Sequence, residues 1–185
     1  MGMTIDAKIP GGNIVIHSVT GCEAVLQPDL RDTSEKWFYW KFKVVFDSPG
    51  MYSFKFVNGA AIGTRGPAVS ADKGQSWEWL GQEAIRQGET FVFECLVAGQ
   101  ERWFCVCIPY MQPEWERFIT EIPSDSVSLS TLCHSRKGRD VECLAIGSPS
   151  ASKRILVTSR HHAQESMATF SLEGFIREIV ERPDV

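Results

Sequence analysis

Two histidines and a glutamate lie close together in the stretch TSRHHAQE, residues 158–165. His162 and Glu165 are three residues apart, and at this spacing an imidazole and a carboxylate can converge on one metal ion where the backbone turns. Both groups are zinc ligands in proteins. The same pattern also arises by chance or as a polar surface pair, so the spacing alone leaves both interpretations open.

The cysteines offer no comparable metal site. They are Cys22, Cys95, Cys105, Cys107, Cys133 and Cys143. None belongs to a Cys-x-x-Cys pair, no histidine is near Cys105 and Cys107 in sequence, and the Cys133-His134 pair is isolated. Most lie in β-like runs, where a thiol behaves as a small buried hydrophobe. The chain also lacks a Gly-x-Ser-x-Gly elbow and a phosphate-binding loop, so serine-type hydrolysis has no support in the sequence.

Composition narrows the class of protein. The 185 residues carry a net charge of −4 and a sequence pI of about 5.6, with scattered basic residues. Nucleic-acid binding, which requires a basic face, is therefore not expected. The N-terminus has no apolar core of signal-peptide length, and no apolar run approaches the roughly 18 residues of a membrane span. We therefore expect no membrane association and, with reduced cysteines, a cytoplasmic location.

The elements that must position the histidine and glutamate are of two kinds, and the first is β-rich. Residues 13–108 contain short runs of β-branched and aromatic side chains separated by turn residues. They predict an antiparallel β-sandwich or barrel, and we expect a sandwich within an N-terminal domain at residues 12–112. In the stretch WFYWKFKVVF, alternation predicts a core face formed by Phe38, Trp40, Phe42, Val44 and Phe46. Trp37 and Tyr39 lie on the other face, and the pattern allows either a structural role for them or a role as a sugar-binding platform.

The pattern then changes to α/β. A short amphipathic segment between Pro113 and Pro123 predicts a linker helix at 113–125. Three strand patterns and a helix follow, at residues 127–132, 140–147, 154–159 and 166–181. The helix is expected to bury Met167, Phe170, Phe175, Ile176 and Ile179. These elements predict the beginning of an α/β domain at 126–185 with a mainly parallel sheet, and one helix cannot cover both faces of such a sheet. The fold class is therefore α+β overall, and we expect the second domain to be incomplete.

The stretch SADKGQSW, residues 70–77, resembles the Asp-box turn of sialidases. The Asp72 carboxylate can accept backbone N–H bonds across the turn, Gly74 can adopt a positive φ, and Trp77 can anchor the hairpin. Sialidases repeat this turn across propeller blades, whereas this chain has one copy. We therefore interpret it as a structural turn.

An ordered set of motifs resembles the zinc metallocarboxypeptidase family, most closely its cytosolic-carboxypeptidase-like branch. The set comprises WFYW at 37–40, Pro109-Tyr110, LSTLCHSRKGRDVECLAIG at 129–147, ILVTSR at 155–160, HAQE at 162–165 and SLEGFIREI at 171–179. The resemblance implies an N-terminal β-sandwich followed by the start of a carboxypeptidase-like α/β domain. It also implies that His162 and Glu165 bind one zinc ion whose third protein ligand, a histidine, lies beyond residue 185.

The same resemblance implies a substrate and a division of labour. The full-length parent would remove C-terminal residues from peptides or proteins, and a homo-oligomer stays open. The general base and the group that grips the substrate carboxylate would also lie beyond this chain, so no catalytic residue is expected within it and the chain alone is expected to be inactive. Where the branch usually has Pro-Gly between its ligands, this chain has Ala163 and Gln164, and Gln164 cannot supply the charge of the arginine found there in digestive relatives. Two alternatives stay open: a non-catalytic β-sandwich binding module, and a zinc amidohydrolase or deacylase on the same scaffold.

Overall fold

The computed structural model describes residues 1–31, 38–57, 62–87, 89–123, 125 and 127–182. The strands of these residues are β1 (Met3–Asp6), β2 (Val15–Thr20), β3 (Glu23–Gln27), β4 (Lys41–Phe46), β5 (Gly50–Phe56), β6 (Ala68–Ser70), β7 (Glu78–Trp79), β8 (Ile85–Arg86), β9 (Thr90–Cys95), β10 (Glu101–Cys105), β11 (Val127–His134) and β12 (Asp140–Ile146). The helices are α1 (Gln112–Glu121) and α2 (Ser166–Glu181), and a 3₁₀ turn spans Gln82–Ala84. The chain divides into two compact units, residues 1–109 with 162–166 and residues 110–161 with 167–185.

The first unit contains two five-stranded sheets among its described residues. Sheet 1 has the order β1-β4-β10-β6-β7, and all its pairings are antiparallel. Its strand β1 lies before the predicted domain start at residue 12. Sheet 2 has the order β2-β3-β5-β9-β8, and β3 and β5 are parallel, so the prediction of wholly antiparallel pairing is wrong for this pair. The reason is that β4 lies between them in sequence but belongs to sheet 1, and such a crossover is what a parallel pair requires.

Side chains from both sheets share one hydrophobic core. The ring centroid of Phe54 in β5 lies 5.7 Å from that of Phe42 in β4 and 5.4 Å from that of Phe104 in β10. All three side chains are fully buried. Because complete burial of one such side chain contributes about 1.5–3 kcal/mol, these contacts across the two sheets are a main source of the stability of this unit.

The predicted core face of the WFYWKFKVVF stretch is correct over most of its length. It is confirmed for Trp40, Phe42, Val44 and Phe46, all fully buried. The prediction is wrong for Phe38, which is 40% exposed, because β4 begins only at Lys41 and strand alternation does not extend back to Phe38. Tyr39 is half-buried and its hydroxyl donates to the carbonyl of Gly11 at 3.0 Å, so its polar end is tied into the fold. Trp37 lies outside the described residues.

The Asp-box turn has the hydrogen bonds that its sequence predicts. The hydroxyl and the backbone N–H of Ser76 donate to the Asp72 carboxylate at 2.5 and 2.9 Å, and the Ser70 hydroxyl donates to it at 2.7 Å. These bonds, those from Ser76 first, lower the pKa of Asp72 to about 2. Gly74 has a φ of 88°, and a Cβ at this position would lie 3.1 Å from the Trp103 ring. The turn is therefore held by a carboxylate in its ionised form.

The second unit contains a β-hairpin rather than a parallel sheet. β11 and β12 pair antiparallel, with an irregularity between Thr131 and Cys133, so the prediction of a mainly parallel sheet is wrong for the described residues. Residues 154–159 form no strand, and Ile155 and Leu156 are 89% and 86% exposed. A parallel strand needs hydrogen-bonded neighbours and cover on both faces, and among the described residues no strand of this unit pairs with residues 154–159.

The two helices share a small cluster in which Phe118, Ile122 and Ile176 are buried. α1 is the helix predicted as a linker at 113–125, and through Phe118 it belongs to the core of this unit. α2 has the predicted bounds, but of its predicted buried residues only Ile176 is buried, at 8% exposure. Three others are exposed, namely Met167, Phe175 and Ile179. Among the described residues, neither helix is long and apolar enough to cross a membrane.

The Asp72 turn makes stability depend on pH in acid. The folded pKa of about 2 lies below the ordinary value of 3.8, so the stabilisation from Asp72 is complete above about pH 4 and is lost as pH falls toward 2. We expect Asp72→Asn to lower the melting temperature at neutral pH and to flatten its decline in acid. Thermal melts of both proteins between about pH 5 and pH 2 measure this effect. Asp47→Asn, at an exposed aspartate in the β4–β5 turn, is the control, and parallel pH profiles for wild type and Asp72→Asn would contradict the prediction.

Candidate metal centre

His162 and Glu165 lie in a tight turn directly before α2. The imidazole Nδ1 of His162 is 2.6 Å from Oε1 of Glu165. The backbone N–H of His162 donates to Oε2 of Glu165 at 3.2 Å, and the backbone N–H of Glu165 donates to the carbonyl of His162 at 3.0 Å. The two side chains are 42% and 41% exposed. The structure therefore brings together the two residues that the sequence spacing singled out, at a position that solvent can reach.

This pair has the chemistry of two metal ligands, and its two facing atoms are joined by a direct hydrogen bond. In a tetrahedral zinc site the nitrogen and oxygen ligand atoms lie about 3.3 Å apart, so these atoms, 2.6 Å apart here, would have to separate to admit an ion. A catalytic zinc normally takes three protein ligands. Within the described residues, no group of three His, Cys, Asp or Glu side chains is placed to hold a metal ion. The pair therefore fits zinc as part of a ligand set and not as a complete one.

The polar residues next to this pair have structural contacts. Nε2 of His161 is 3.0 Å from the hydroxyl of Thr158. Arg160 has a φ of 55°, in the left-handed region, and its guanidinium donates to the carbonyl of Tyr110. Oε1 of Gln164 is buried and has no hydrogen-bond partner among the described residues. These contacts place Arg160 and His161 in the polar connection that precedes α2.

Tyr110 has a role that the sequence did not reveal. Its hydroxyl donates to Oε1 of Glu173 at 2.6 Å, and its ring lies edge-on to Phe170 at 5.1 Å. Tyr110 is 4% exposed. Its pKa is raised well above the usual value, chiefly by burial and secondly by the nearby Glu173 carboxylate. From the sequence one could expect only that a buried tyrosine hydroxyl would have some polar partner, and not that this partner would be Glu173. Tyr110 therefore links the start of the second unit to α2.

Among the described residues, no cysteine belongs to a group of three side chains placed to hold a metal ion. Burial, followed in size by the effect of the neighbouring Cys107, raises the pKa of the Cys105 thiol, which favours its neutral form. Nε2 of His134 is 3.1 Å from Oδ1 of Asp140, the residue paired with it across the hairpin. All six cysteines lie within the described residues, and none forms a disulfide bond.

Comparison with solved structures identifies the fold. The chain matches a metallo-carboxypeptidase from Burkholderia cenocepacia with a TM-score of 0.75 and 18% identity, over 96% of this chain and 49% of that one. It also matches a metallo-carboxypeptidase from Pseudomonas aeruginosa, in complex with (2-guanidinoethylmercapto)succinic acid, with a TM-score of 0.74 and 25% identity, over 98% of this chain and 50% of that one. No protein-family model matches the sequence, and no curated protein does. The chain therefore has a carboxypeptidase-like α+β scaffold and spans about half the length of the structures it matches.

The Tyr110–Glu173 hydrogen bond predicts a measurable loss of stability in Tyr110→Phe. The substitution leaves the ring in place but removes the donor to a carboxylate, so we expect a decrease of about 1–2 kcal/mol in the free energy of unfolding. Chemical denaturation measures this decrease. Glu173→Gln keeps an acceptor for the hydroxyl, so its free energy of unfolding should decrease less. Equal stability of Tyr110→Phe and wild type would show that the hydrogen bond is not maintained.

Proposed function

We propose that this chain is part of a zinc-dependent metallocarboxypeptidase, a hydrolase that removes C-terminal residues from peptides or proteins. The observation that supports this proposal is the convergence of His162 and Glu165 in a chain whose fold matches that of metallo-carboxypeptidases. The WFYW and Pro109-Tyr110 motifs favour the cytosolic-carboxypeptidase-like branch. A cytoplasmic location belongs to the same proposal. The proposal is compatible with both a monomer and a homo-oligomer.

His162 and Glu165 are the proposed ligands of one zinc ion, through the imidazole Nδ1 and the carboxylate. When bound, zinc supplies Lewis acidity that polarises a carbonyl group. The backbone N–H of His162 holds Oε2 of Glu165, which leaves Oε1 directed toward the imidazole. We propose that a protein segment outside these 185 residues supplies the third ligand. With two of three ligands, this chain alone is proposed to be inactive.

A peptide or protein C-terminus is the proposed substrate. The compound bound by the Pseudomonas aeruginosa protein carries carboxyl groups and a guanidino group. A peptide that ends in arginine presents the same two kinds of group, which supports a peptide terminus as the ligand class. The net charge of −4 argues against nucleic acid as an alternative partner.

The proposed domain organisation assigns each segment a part in this enzyme. Residues 12–112 would form an N-terminal β-sandwich domain, 113–125 a linker helix, and 126–185 the start of the α/β zinc carboxypeptidase domain. The core shared by the two sheets of the first unit supports the sandwich. The zinc-ligand motif followed directly by α2 supports the catalytic assignment.

Zinc titration of the purified protein tests the proposal. We expect one zinc per chain, bound weakly because two protein ligands are present. His162→Ala and Glu165→Gln should each abolish this binding in calorimetry, since each removes half of the pair. His161→Ala removes the adjacent imidazole, which contacts Thr158, and should bind zinc as wild type does.

The alternatives give different results in the same experiment. Wild-type protein that binds no zinc would contradict the proposal and favour a non-catalytic β-sandwich binding module. Zinc binding that survives in Glu165→Gln but not in His161→Ala would show that the ligands are misassigned. If a longer protein containing this chain releases acyl groups from amino acids and leaves peptide C-termini intact, the amidohydrolase or deacylase alternative is correct.

A further inference from the structure

Ser166 is a buried serine that follows the zinc-ligand motif directly. Its exposure is 0%, whereas the side chains of His162 and Glu165 are close to half exposed. A buried hydroxyl is costly unless it is hydrogen-bonded. The partners of Ser166 therefore show what this position does.

Both partners of Ser166 lie just after β10. The hydroxyl donates to the backbone carbonyl of Ile108, and its oxygen lies 3.3 Å from Sγ of Cys107, which is 7% exposed. A hydroxyl has one proton but two acceptor positions. That proton is directed at the Ile108 carbonyl, and the Cys107 sulfur lies within reach as a second acceptor. Ser166 is thus bound on two sides to the chain that leaves a core strand.

This attachment restrains Glu165 from its C-terminal side. Consecutive Cα atoms are about 3.8 Å apart across a trans peptide, so fixing Ser166 leaves the Glu165 backbone little freedom. On the other side, the backbone bonds between His162 and Glu165 close the turn. Ser166 is fully buried whereas the side chains of His162 and Glu165 are partly exposed, so the serine is the most deeply buried of these three residues.

We propose that Ser166 is a positioning residue that holds Glu165, and through it His162, in the converged arrangement needed for a divalent metal ion. The inference rests on the proposed zinc site and adds a residue outside the ligand set. Residues that orient metal ligands typically change metal affinity about 10-fold to 100-fold when they are replaced. The hydrogen-bond partners of Ser166 are Ile108 and Cys107, so its effect on the ligand pair would pass through the backbone.

Four variants of the whole chain separate positioning from general folding. Ser166→Ala removes the hydroxyl. Ser166→Cys keeps a side chain of similar size with a weak donor, and Ser166→Thr keeps the hydroxyl. Ser171→Ala is the matched control, because it removes a serine from the same helix whose hydroxyl donates to the carbonyl of Met167 at 3.1 Å on an exposed surface.

Two measurements follow on each variant. Amide hydrogen exchange of the metal-free protein reports the backbone bonds of His162 and Glu165, and calorimetry reports zinc affinity. We expect Ser166→Ala and Ser166→Cys to exchange both amides about tenfold faster and to bind zinc about tenfold more weakly. Ser171→Ala should match wild type in both measurements. Ser166→Thr keeps the hydroxyl but adds a methyl group at a buried position, so it should lie closer to wild type than Ser166→Ala does.

The outcomes distinguish this inference from the proposed function. Wild-type exchange and zinc affinity in Ser166→Ala and Ser166→Cys would overturn the role of Ser166 while leaving the zinc site intact. If wild type binds no zinc, the proposed function fails, and the exchange rates still decide whether Ser166 holds the turn. If Ser166→Ala does not fold, the same two measurements on Ser166→Cys, whose side chain fills the buried position better, test the role of Ser166. An equal loss of zinc affinity in Ser171→Ala would show a general effect of changing the helix and would overturn the proposal.

Discussion

Burial of aromatic side chains between the two sheets of the first unit is the interaction on which the rest of that unit depends. The ring centroid of Phe54 lies 4.7 Å from that of Phe91 in the same sheet, and the Phe54 ring also packs near those of Phe42 and Phe104 in the other sheet. Truncating a buried phenylalanine typically costs about 3–5 kcal/mol, a large part of the 5–15 kcal/mol that stabilises an ordinary domain. Phe104 belongs to β10, so this packing also fixes where β10 ends.

The end of β10 connects the core to the candidate metal centre. Cys107 and Ile108 follow β10 and are the hydrogen-bond partners of the buried Ser166. Ser166 in turn follows Glu165 directly in the sequence. A ligand pair supported by a packed sheet is more precise than one carried by a loop alone. The first unit can therefore define the direction of a half-exposed carboxylate and imidazole although neither is itself part of the core.

Several features were predictable from the sequence because they depend on residues close to one another along the chain. The bounds of α2 follow from helical spacing, and the Asp-box turn follows from Asp72, Gly74 and the serines around them. The contact between His162 and Glu165 belongs to the same group, since a turn of three residues suffices to form it. Strand alternation likewise identified the core face from Trp40 onward. In each case the information lies within a few residues.

The tertiary structure decided which distant segments meet. The parallel pairing of β3 and β5 arises because β4 joins the other sheet, and residues 154–159 are strand-like in composition yet have no strand partner among the described residues. The exposure of Phe175 and the burial of Ser166 likewise depend on what packs against α2 and its first turn. A local pattern shows that a side chain is apolar or polar, but its burial is a property of the surface that faces it. That surface comes from residues 50 or more positions away, as the Ser166–Ile108 hydrogen bond shows, and no periodicity in the sequence specifies it.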